Sequence, residues 1–387
     1  MDDNACFNGR VAFSVTARDG AARSGRLATA HGTITTPAFM PVGTRAAVKA
    51  MGPDELWALG YRLVLANAYH LAVRPGVELV EAMGGLGRFM GFRGAVLTDS
   101  GGFQAMSLAA IRAIDDDGVT FRSHLDGAPI RLTPQNAIEL QERLGADLMM
   151  SLDQCVSYPA TFEQARQAAE LTARWAERGC KARQSSWQAL FGIVQGSVYP
   201  ELRIMSARQI TGFEFDGYAT GGLAVGEPKE LMLEMAALSA ELLPEDRARY
   251  LMGVGTPKDL LAAVGMGYDL FDCVLPTRNG RNGVGFTSQG RVSIKQARYA
   301  RDERALDPRC DCRWCRGLSR AYLRHLYVSR EILAARALTE HNLHFYGRLM
   351  RDAQAAIASR TYQVFAAEVL SRIAAGEGRE VTEADVV

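Results

Sequence analysis

Eight short apolar segments, each ending near a Gly, Asp, Asn or Gln and followed by residues with helical spacing, constrain the fold of this chain most strongly. Continuous apolar runs are typical of strands buried on both faces, and their alternation with helices indicates parallel β-α-β units. Eight such units predict an α/β fold closed into a (β/α)8 TIM barrel, with a doubly wound open sheet as the alternative. The segments are TPAFMPVG (36–43), YRLVLAN (61–67), GAVLTDSGG (94–102), ADLMMSLDQC (146–155), ALFGIVQGS (189–197), GYATGG (217–222), RYLMGVG (249–255) and YDLFDCVLP (268–276).

The chain is expected to have three parts, and the first of them contains an inserted β-hairpin. The segment VTFRSHLDGAPIRL, with an Asp126-Gly127 turn, predicts a β-hairpin after the third strand. We expect the barrel in residues 1–283 with this hairpin and a small N-terminal insertion. A C-terminal subdomain follows at 284–345. Residues 346–387 are expected to form a C-terminal helix packed on the barrel and a mobile tail, GEGREVTEADVV.

The composition favours a cytoplasmic globular protein. No apolar run reaches the roughly 18 residues that a membrane helix needs, and the N-terminus lacks the pattern of a signal peptide. The seven cysteines are an odd number and only three lie close together, which argues against a disulfide framework.

Positive charge is concentrated in one stretch of the chain. The net charge is +1, yet residues 278–336 contain 14 Lys or Arg and 5 Asp or Glu, a local net charge of +9. A local basic patch is expected where a polyanion docks, although a solvated subdomain surface would have the same composition.

Polar residues at the ends of the apolar segments are the candidate catalytic groups, because barrel enzymes place their sites at the carboxyl ends of the strands. Two facing carboxylates can carry out displacement at a sugar carbon, and a third with an amide can read a purine edge. Helix caps or turn residues are the alternative for any single position, and core packing for Phe103 and Met252, which could sandwich a flat ring. The candidates at or near these strand ends are Asp99, Asp153, Gln195, Gly221, Gly222, Gly253 and Asp272.

Three cysteines within six residues predict a structural zinc site, with free thiols as the alternative. Cys310, Cys312 and Cys315 would supply thiolates, and tetrahedral zinc then requires a fourth ligand. Spacing leaves that ligand open among three histidines, which are His325, His341 and His344.

Seven motifs in order along roughly residues 10–360 resemble the tRNA-guanine transglycosylase family. Six of them are TDSGGFQ (98–104), GADLMMSLDQC (145–155), FGIVQGSV (191–198), GGLAVGE (221–227), YLMGVG (250–255) and FDCVLPTRNGRNG (271–283). The seventh is the CxCxxC cluster with a histidine 26 residues after its last cysteine.

The resemblance implies a role for individual residues of the barrel. Asp272 would be the nucleophile that attacks the ribose and expels guanine, giving a covalent intermediate, and Asp99 the general acid/base. The implied base contacts are Phe103, Asp153, Gln195, Gly222, Leu223, Ala224 and Met252.

The resemblance also implies a cofactor and partners. One structural Zn2+ per subunit would be held by Cys310, Cys312, Cys315 and His341. Arg278 and Arg281 would contact the anticodon loop. The implied substrates are tRNAs with G-U-N anticodons (Asp, Asn, His and Tyr) and a free deazaguanine base in queuosine biosynthesis. The implied assembly is a homodimer.

Several residues bear on which free base the resemblance implies. Cys155 and Val225 resemble the bacterial type, which takes 7-aminomethyl-7-deazaguanine, whereas queuine is the alternative base. Phe103 stands where many members have Tyr, and Thr256 where some have a Lys near the RNA.

Three rival functions are less consistent with the sequence. A non-catalytic RNA-binding subunit of the same fold would be expected to lack Asp99 and Asp272. A glycoside hydrolase has no use for the cysteine cluster. A metal-dependent amidohydrolase would need a His-x-His motif at the first strand, where this chain has TPAFMPVG.

Overall fold

The computed structural model describes residues 9–102, 111–123 and 125–384. Its strands are β1 (Ala12–Asp19), β2 (Ala22–Thr29), β3 (Gly32–Thr36), β4 (Ala38–Pro41), β5 (Leu63–Asn67), β6 (Ala95–Asp99), β7 (Ile111–Asp115), β8 (Gly118–Arg122), β9 (Pro129–Leu132), β10 (Leu148–Met150), β11 (Ala189–Val194), β12 (Gly217–Thr220), β13 (Ala248–Leu251), β14 (Leu270–Cys273), β15 (Val284–Thr287) and β16 (Gly290–Ser293).

The helices alternate with the barrel strands and then dominate the C-terminal part. They are α1 (Pro53–Ala58), α2 (Ala68–Val73), α3 (Val77–Ala82), α4 (Leu86–Met90), α5 (Pro134–Leu144), α6 (Phe162–Ala182), α7 (Pro200–Thr211), α8 (Lys229–Leu242), α9 (Pro257–Gly265), α10 (Leu275–Arg281), α11 (Arg313–Gly317), α12 (Arg320–Val328), α13 (Ile332–Ala358) and α14 (Tyr362–Ala384). A 3-10 helix spans Ala297–Arg301. No helix in the described ranges is long and apolar enough to cross a membrane.

The eight predicted strands form one parallel sheet that closes into a barrel. The strand order is β4-β14-β13-β12-β11-β10-β6-β5, and a parallel bridge between Val42 and Leu65 joins the two end strands. Apolar side chains such as Met40, Phe191 and Tyr250 fill the interior. The (β/α)8 barrel predicted from the sequence is therefore confirmed, and the open-sheet alternative is wrong.

A three-stranded antiparallel sheet, β1-β2-β3, covers the amino-terminal end of the barrel. Leu27 and Ile34 of this sheet pack into the same apolar cluster as the barrel interior. The Arg23 guanidinium binds both carboxylate oxygens of Asp269, which directly precedes β14, and neither side chain is exposed. The three-stranded sheet therefore closes the amino-terminal end of the barrel.

The insertion after β6 is larger than the predicted hairpin. Strands β8 and β9 pair as expected, and β7 adds a third antiparallel strand to their sheet. The chain reverses direction between β7 and β8 at a second Asp-Gly turn, Asp117-Gly118. In this turn the Asp115 carboxylate accepts hydrogen bonds from the amides of Asp117 and Gly118. A Cβ at Gly118 would lie 2.1 Å from the carbonyl oxygen of Leu132, so this approach requires glycine.

The C-terminal part is helical and continuous with the barrel. Helix α13 runs through residue 345, where the end of the subdomain was expected, and packs on β4 and β15. Helix α14 continues to Ala384, so most of the segment expected to be a tail is helical. Its Ala, Glu and Arg residues favour a helix strongly enough to offset its glycines.

Candidate active site

Most of the predicted site residues meet at the open end of the barrel. Asp99 ends β6 and Asp272 lies in β14. Asp153 follows β10 and Gln195 follows β11. Gly221 and Gly222 follow β12, while Met252 and Gly253 follow β13. Leu223 and Ala224 belong to the same loop as the two glycines. Phe103, predicted to stack on the base, lies outside the described residues.

The Asp272 carboxylate is held by two hydrogen bonds. Its Oδ1 accepts from the Tyr250 hydroxyl at 2.6 Å and from the Gly253 amide at 2.8 Å. Burial raises the pKa of Asp272, and these two hydrogen bonds oppose that rise. The other oxygen, Oδ2, takes part in neither bond, so Oδ1 is held in place and Oδ2 is available to react.

The Asp99 carboxylate is anchored from the neighbouring strand. Its Oδ1 accepts from the backbone amide of Ala68 at 3.0 Å, and its Oδ2 accepts from the Asn67 side-chain amide. Asn67 is the last residue of β5 and pairs directly with Asp99 in the sheet. The position of this carboxylate is therefore fixed by the register of two adjacent strands.

Asp99 and Asp272 lie at the same end of the barrel, on strands that are not adjacent. Around the closed barrel, β6 and β14 are separated by β5 and β4 on one side and by four strands on the other. Burial raises the pKa of Tyr250 well above its ordinary value, and the negative charges of both Asp272 and Asp99 raise it further. Tyr250 is therefore close enough to both carboxylates for their charges to affect its hydroxyl.

Asp153 and Gln195 form a buried hydrogen-bonded pair between these two carboxylates. The Gln195 side-chain amide donates to Asp153 Oδ2 at 2.6 Å. Burial raises the pKa of Asp153 to about 6, the Gln195 bond opposes the rise, and the charge of Asp99 adds to it. The pair offers carboxylate acceptors beside an amide, a combination suited to the donor and acceptor edge of a purine.

The Gly221-Gly222 backbone lies directly against Gln195. A Cβ at Gly222 would lie 2.2 Å from Gln195 Oε1, and a Cβ at Gly221 would lie 2.8 Å from Gln195 Nε2. Gly222 also has φ +66°, which favours glycine. The Glu227 carboxylate binds the next amides along the loop, those of Ala224 and Val225. The loop is thus held in one shape around the pocket.

The two arginines of the TRNGRNG motif lie beyond the nucleophile candidate. Helix α10 carries both Arg278, which is exposed, and Arg281, which is partly buried. The Nη1 atom of Arg281 is buried and has no hydrogen-bond partner among the described residues. Burial lowers the pKa of Arg281, and the charge of Arg278 lowers it further. A partly buried guanidinium with an unpaired N–H group is suited to bind an anion.

The three clustered cysteines meet a histidine in the C-terminal subdomain, and the four residues could hold a metal ion. All four ligand atoms lie within 4.8 Å of one another, and all four residues are buried. His341 Nδ1 is 3.6 Å from the Sγ atoms of Cys310 and Cys312 and 3.3 Å from that of Cys315. Tetrahedral zinc bonds give a sulfur-nitrogen separation of about 3.6 Å, which these distances match.

Burial distinguishes among the three candidate histidines. His341 is buried, and its Nε2 donates to the carbonyl of Phe286 at 2.8 Å, which leaves Nδ1 for the cluster. His344 Nδ1 is 3.6 Å from Cys310 Sγ, but its Nε2 faces Asp311 at 3.3 Å. His325 lies on α12 and stacks on Tyr322.

Three residues of the site were missed by the sequence analysis. Asn67 and Tyr250 orient the two carboxylates. Arg203 is fully buried behind the Gly221-Gly222 loop and hydrogen bonds to its carbonyls. Asn67 ends an apolar segment and shows the same signal as Asp99, whereas Tyr250 and Arg203 lie inside a strand and a helix where no local pattern distinguishes them.

Comparison with known proteins gives a consistent result. A family model described as queuine tRNA-ribosyltransferase matches residues 19–375. A protein of Thermus thermophilus named queuine tRNA-ribosyltransferase is 53% identical over 369 residues, covering 95% of each chain. Proteins of the same name from Sorangium cellulosum and Symbiobacterium thermophilum are 54% and 52% identical, covering 94% and 92% of this chain and 92% and 90% of their own.

Proposed function

This chain belongs to the queuine tRNA-ribosyltransferase family, and from that membership we propose that it exchanges the wobble guanine of tRNA for a free deazaguanine base. It is a pentosyltransferase that acts as a tRNA-guanine transglycosylase. The observation that carries the mechanism is the pair of anchored carboxylates, Asp99 and Asp272, on either side of one barrel mouth.

The reaction proceeds by two displacements at the same carbon. Asp272 Oδ2 attacks C1′ of the wobble ribose, the bond from C1′ to N9 breaks, and its electron pair leaves on guanine. Asp99 protonates the leaving base. The incoming base then gives its N9 proton to Asp99 and attacks C1′, which releases Asp272. Each displacement inverts C1′, so the product retains the original configuration, and no ATP is consumed.

Asp153 and Gln195 select the base. The Asp153 carboxylate accepts from the ring N–H and exocyclic amino group that guanine and its deaza analogues share. Gln195 and the Gly222 amide bind the ring carbonyl. Leu223 and Ala224 line the region that receives the substituent at position 7, while Met252 contacts one face of the ring.

The incoming base is 7-aminomethyl-7-deazaguanine, the queuosine precursor. The resemblance supports this choice, because Val225 is larger than the Gly that queuine-accepting members carry at this position, and queuine has the larger substituent. Queuine is the second candidate base. A non-catalytic RNA-binding role is the remaining alternative, and the two anchored carboxylates speak against it because such a subunit has no use for them.

The RNA partner is a tRNA with a G-U-N anticodon, specific for Asp, Asn, His or Tyr. The orphan Nη1 of Arg281 supports this assignment, since a phosphate of the anticodon loop would satisfy it. Arg278 adds a second, exposed cation on the same helix. A single-stranded loop can extrude one base at a cost of a few kcal/mol, which allows the wobble nucleotide to enter the open end of the barrel.

Zn2+ is the metal ion that fits the cysteine cluster. Cys310, Cys312, Cys315 and His341 would hold it, and the four protein ligands leave no open position for a substrate. When bound, the ion supplies a cross-link among β15, α11 and α13, through Phe286 and the four ligands, and takes no part in the reaction.

A homodimer is the assembly proposed for this enzyme. Exposed apolar side chains on α12 and α13 support it, because Val328, Ile332 and Leu333 are 58%, 83% and 38% exposed. Sedimentation velocity of the parent chain and of Ile332→Glu tests it: a dimer that dissociates in the variant supports this surface, and a parent monomer contradicts the assembly.

The direct test of the function is incubation with labelled guanine and an unmodified G-U-N tRNA. Incorporation of label into the wobble position is expected, and 7-aminomethyl-7-deazaguanine should displace the label more effectively than queuine. A tRNA with adenine at the wobble position is the matched control. Absence of label from the G-U-N tRNA would refute the activity, and stronger displacement by queuine would reverse only the choice of base.

A further inference from the structure

Arg203 is a buried cation whose partners are all neutral. It lies in the first turn of α7 and has no exposed surface. Its guanidinium donates to the carbonyls of Ser197 at 2.8 Å, Val194 at 3.2 Å, Gly221 at 2.8 Å and Gly222 at 3.3 Å. In the described part of the chain no carboxylate forms a salt bridge with it. Burial of a charge without a counter-ion has a high cost in free energy, which indicates that Arg203 has a function beyond packing.

The contacts of Arg203 with the carbonyls of Gly221 and Gly222 indicate what this function is. In a trans peptide group the C=O and N–H point in opposite directions. The carbonyl of Gly221 shares its peptide group with the amide of Gly222, and the carbonyl of Gly222 shares its group with the amide of Leu223. Because Arg203 binds both carbonyls, both amides point away from it. The Gly222 amide approaches the Cys155 thiol and lowers its pKa, against a larger rise from burial.

Resting on the proposed function, we propose that Arg203 is a positioning residue of the base pocket. Its guanidinium orients and polarises the peptide groups 221–222 and 222–223, so that their amides bind the ring carbonyl oxygen of the purine. That oxygen gains negative charge as the bond between C1′ and N9 breaks, because the departing electron pair delocalises over the ring. A fixed positive charge behind the two amides stabilises this charge without rearrangement.

The charge of Arg203 persists at neutral pH. Burial lowers the pKa of the guanidinium to about 10, which still leaves it protonated at neutral pH, and the nearby side chains of Tyr268, Cys155 and Glu227 oppose the decrease. The four carbonyls hold the guanidinium rigidly, so a shorter or more flexible cation at this position cannot contact all of them.

A pair of arginine variants separates this role from a merely structural one. Arg249 provides the matched control: it is also buried, its guanidinium binds the carbonyls of Leu243 and Pro244, and burial lowers its pKa to about 10. It lies near the closed end of the barrel, next to the first residue of β13. Arg203→Met and Arg249→Met therefore remove equivalent groups from opposite ends.

The readout compares guanine with 6-thioguanine as competitors. Both present the same N–H groups to Asp153, but the sulfur of 6-thioguanine is a weaker acceptor for the two amides. In Arg203→Met the preference for guanine should fall about 10-fold, and kcat should fall about 30-fold with a smaller change in KM. Arg203→Lys should recover part of both losses. Arg249→Met should retain the parent's preference.

Each outcome decides between the two roles. Equal weakening of guanine and 6-thioguanine by Arg203→Met, or an equal loss of preference in Arg249→Met, overturns the proposal. If Arg203→Met does not fold, the preference measured with Arg203→Gln decides, since this side chain keeps a hydrogen-bond donor but no charge and a value equal to the parent's contradicts the polarising role. A parent enzyme that exchanges no guanine refutes the proposed function instead.

Discussion

Replacing Asp153 by Asn is expected to make the protein more stable at neutral pH and to abolish guanine exchange. Burial raises the pKa of Asp153 in the folded chain to about 6, from an ordinary value of 3.8. The folded protein therefore binds the proton more tightly than the unfolded chain does, and the ionised carboxylate opposes folding above pH 6. At about 1.4 kcal/mol per pKa unit, this difference corresponds to about 3 kcal/mol.

The variant should recover most of that free energy. Its amide oxygen can still accept the hydrogen bond from Gln195, but the new NH2 group loses contact with water, which costs about 1 kcal/mol. The expected net gain in the free energy of unfolding at pH 7.5 is about 2 kcal/mol. As the pH falls from 6 towards 3.8, the parent carboxylate becomes protonated in the folded state and the advantage of the variant disappears.

Urea unfolding of both proteins at pH 7.5 and pH 4.5 measures this effect, because groups other than Asp153 titrate alike in the two chains and cancel in the difference. The variant should also lose guanine exchange, since the acceptor for the base N–H groups is gone. A variant that is no more stable at pH 7.5, or equally stabilised at both pH values, would refute the reasoning.

Three further predictions concern the anchoring groups and the metal. Tyr250→Phe removes one of the two hydrogen bonds that oppose the raised pKa of Asp272, so the acidic limb of the rate profile for kcat/KM should move to higher pH; an unchanged limb would contradict this. Gly222→Ala places a methyl group 2.2 Å from Gln195 Oε1, so KM for guanine should rise at least about 10-fold in steady-state assays with tRNA binding intact, and an unchanged KM would be inconsistent with the pocket. Cys312→Ser should lower the bound zinc measured by atomic absorption and the Tm, and a full metal content would argue against the site.

The barrel was predictable because its strands are buried on both faces. A run such as ALFGIV at β11 has no polar face, and only a parallel sheet covered by helices accommodates eight runs of this kind. The site followed from the fold, since the residue that ends each run must lie at the open end. Asp99, Asp153 and Asp272 were therefore identifiable as candidates without any tertiary information.

Residues whose roles depend on distant contacts were not predictable. Tyr250 lies within an apolar strand, and nothing in its neighbourhood shows that its hydroxyl meets a carboxylate 22 residues later. Arg203 is one of many arginines, and its burial depends on the packing of α7 against two strand ends. His341 and His344 share one helix face, so burial against Phe286, which comes from β15, was needed to distinguish them. Strand β7 was missed because its pairing depends on the turn at Gly118.

The covalent intermediate provides the most direct test of the central claim. The parent enzyme and Asp272→Asn are each mixed with a G-U-N tRNA, denatured and separated by mass, with native gel shifts run in parallel. The mechanism predicts a denaturation-resistant RNA-protein species with the parent only, while both proteins bind the tRNA. A covalent species formed by the Asn variant, or ribose mapped to Asp99 in the parent, would contradict the assignment of Asp272 as nucleophile.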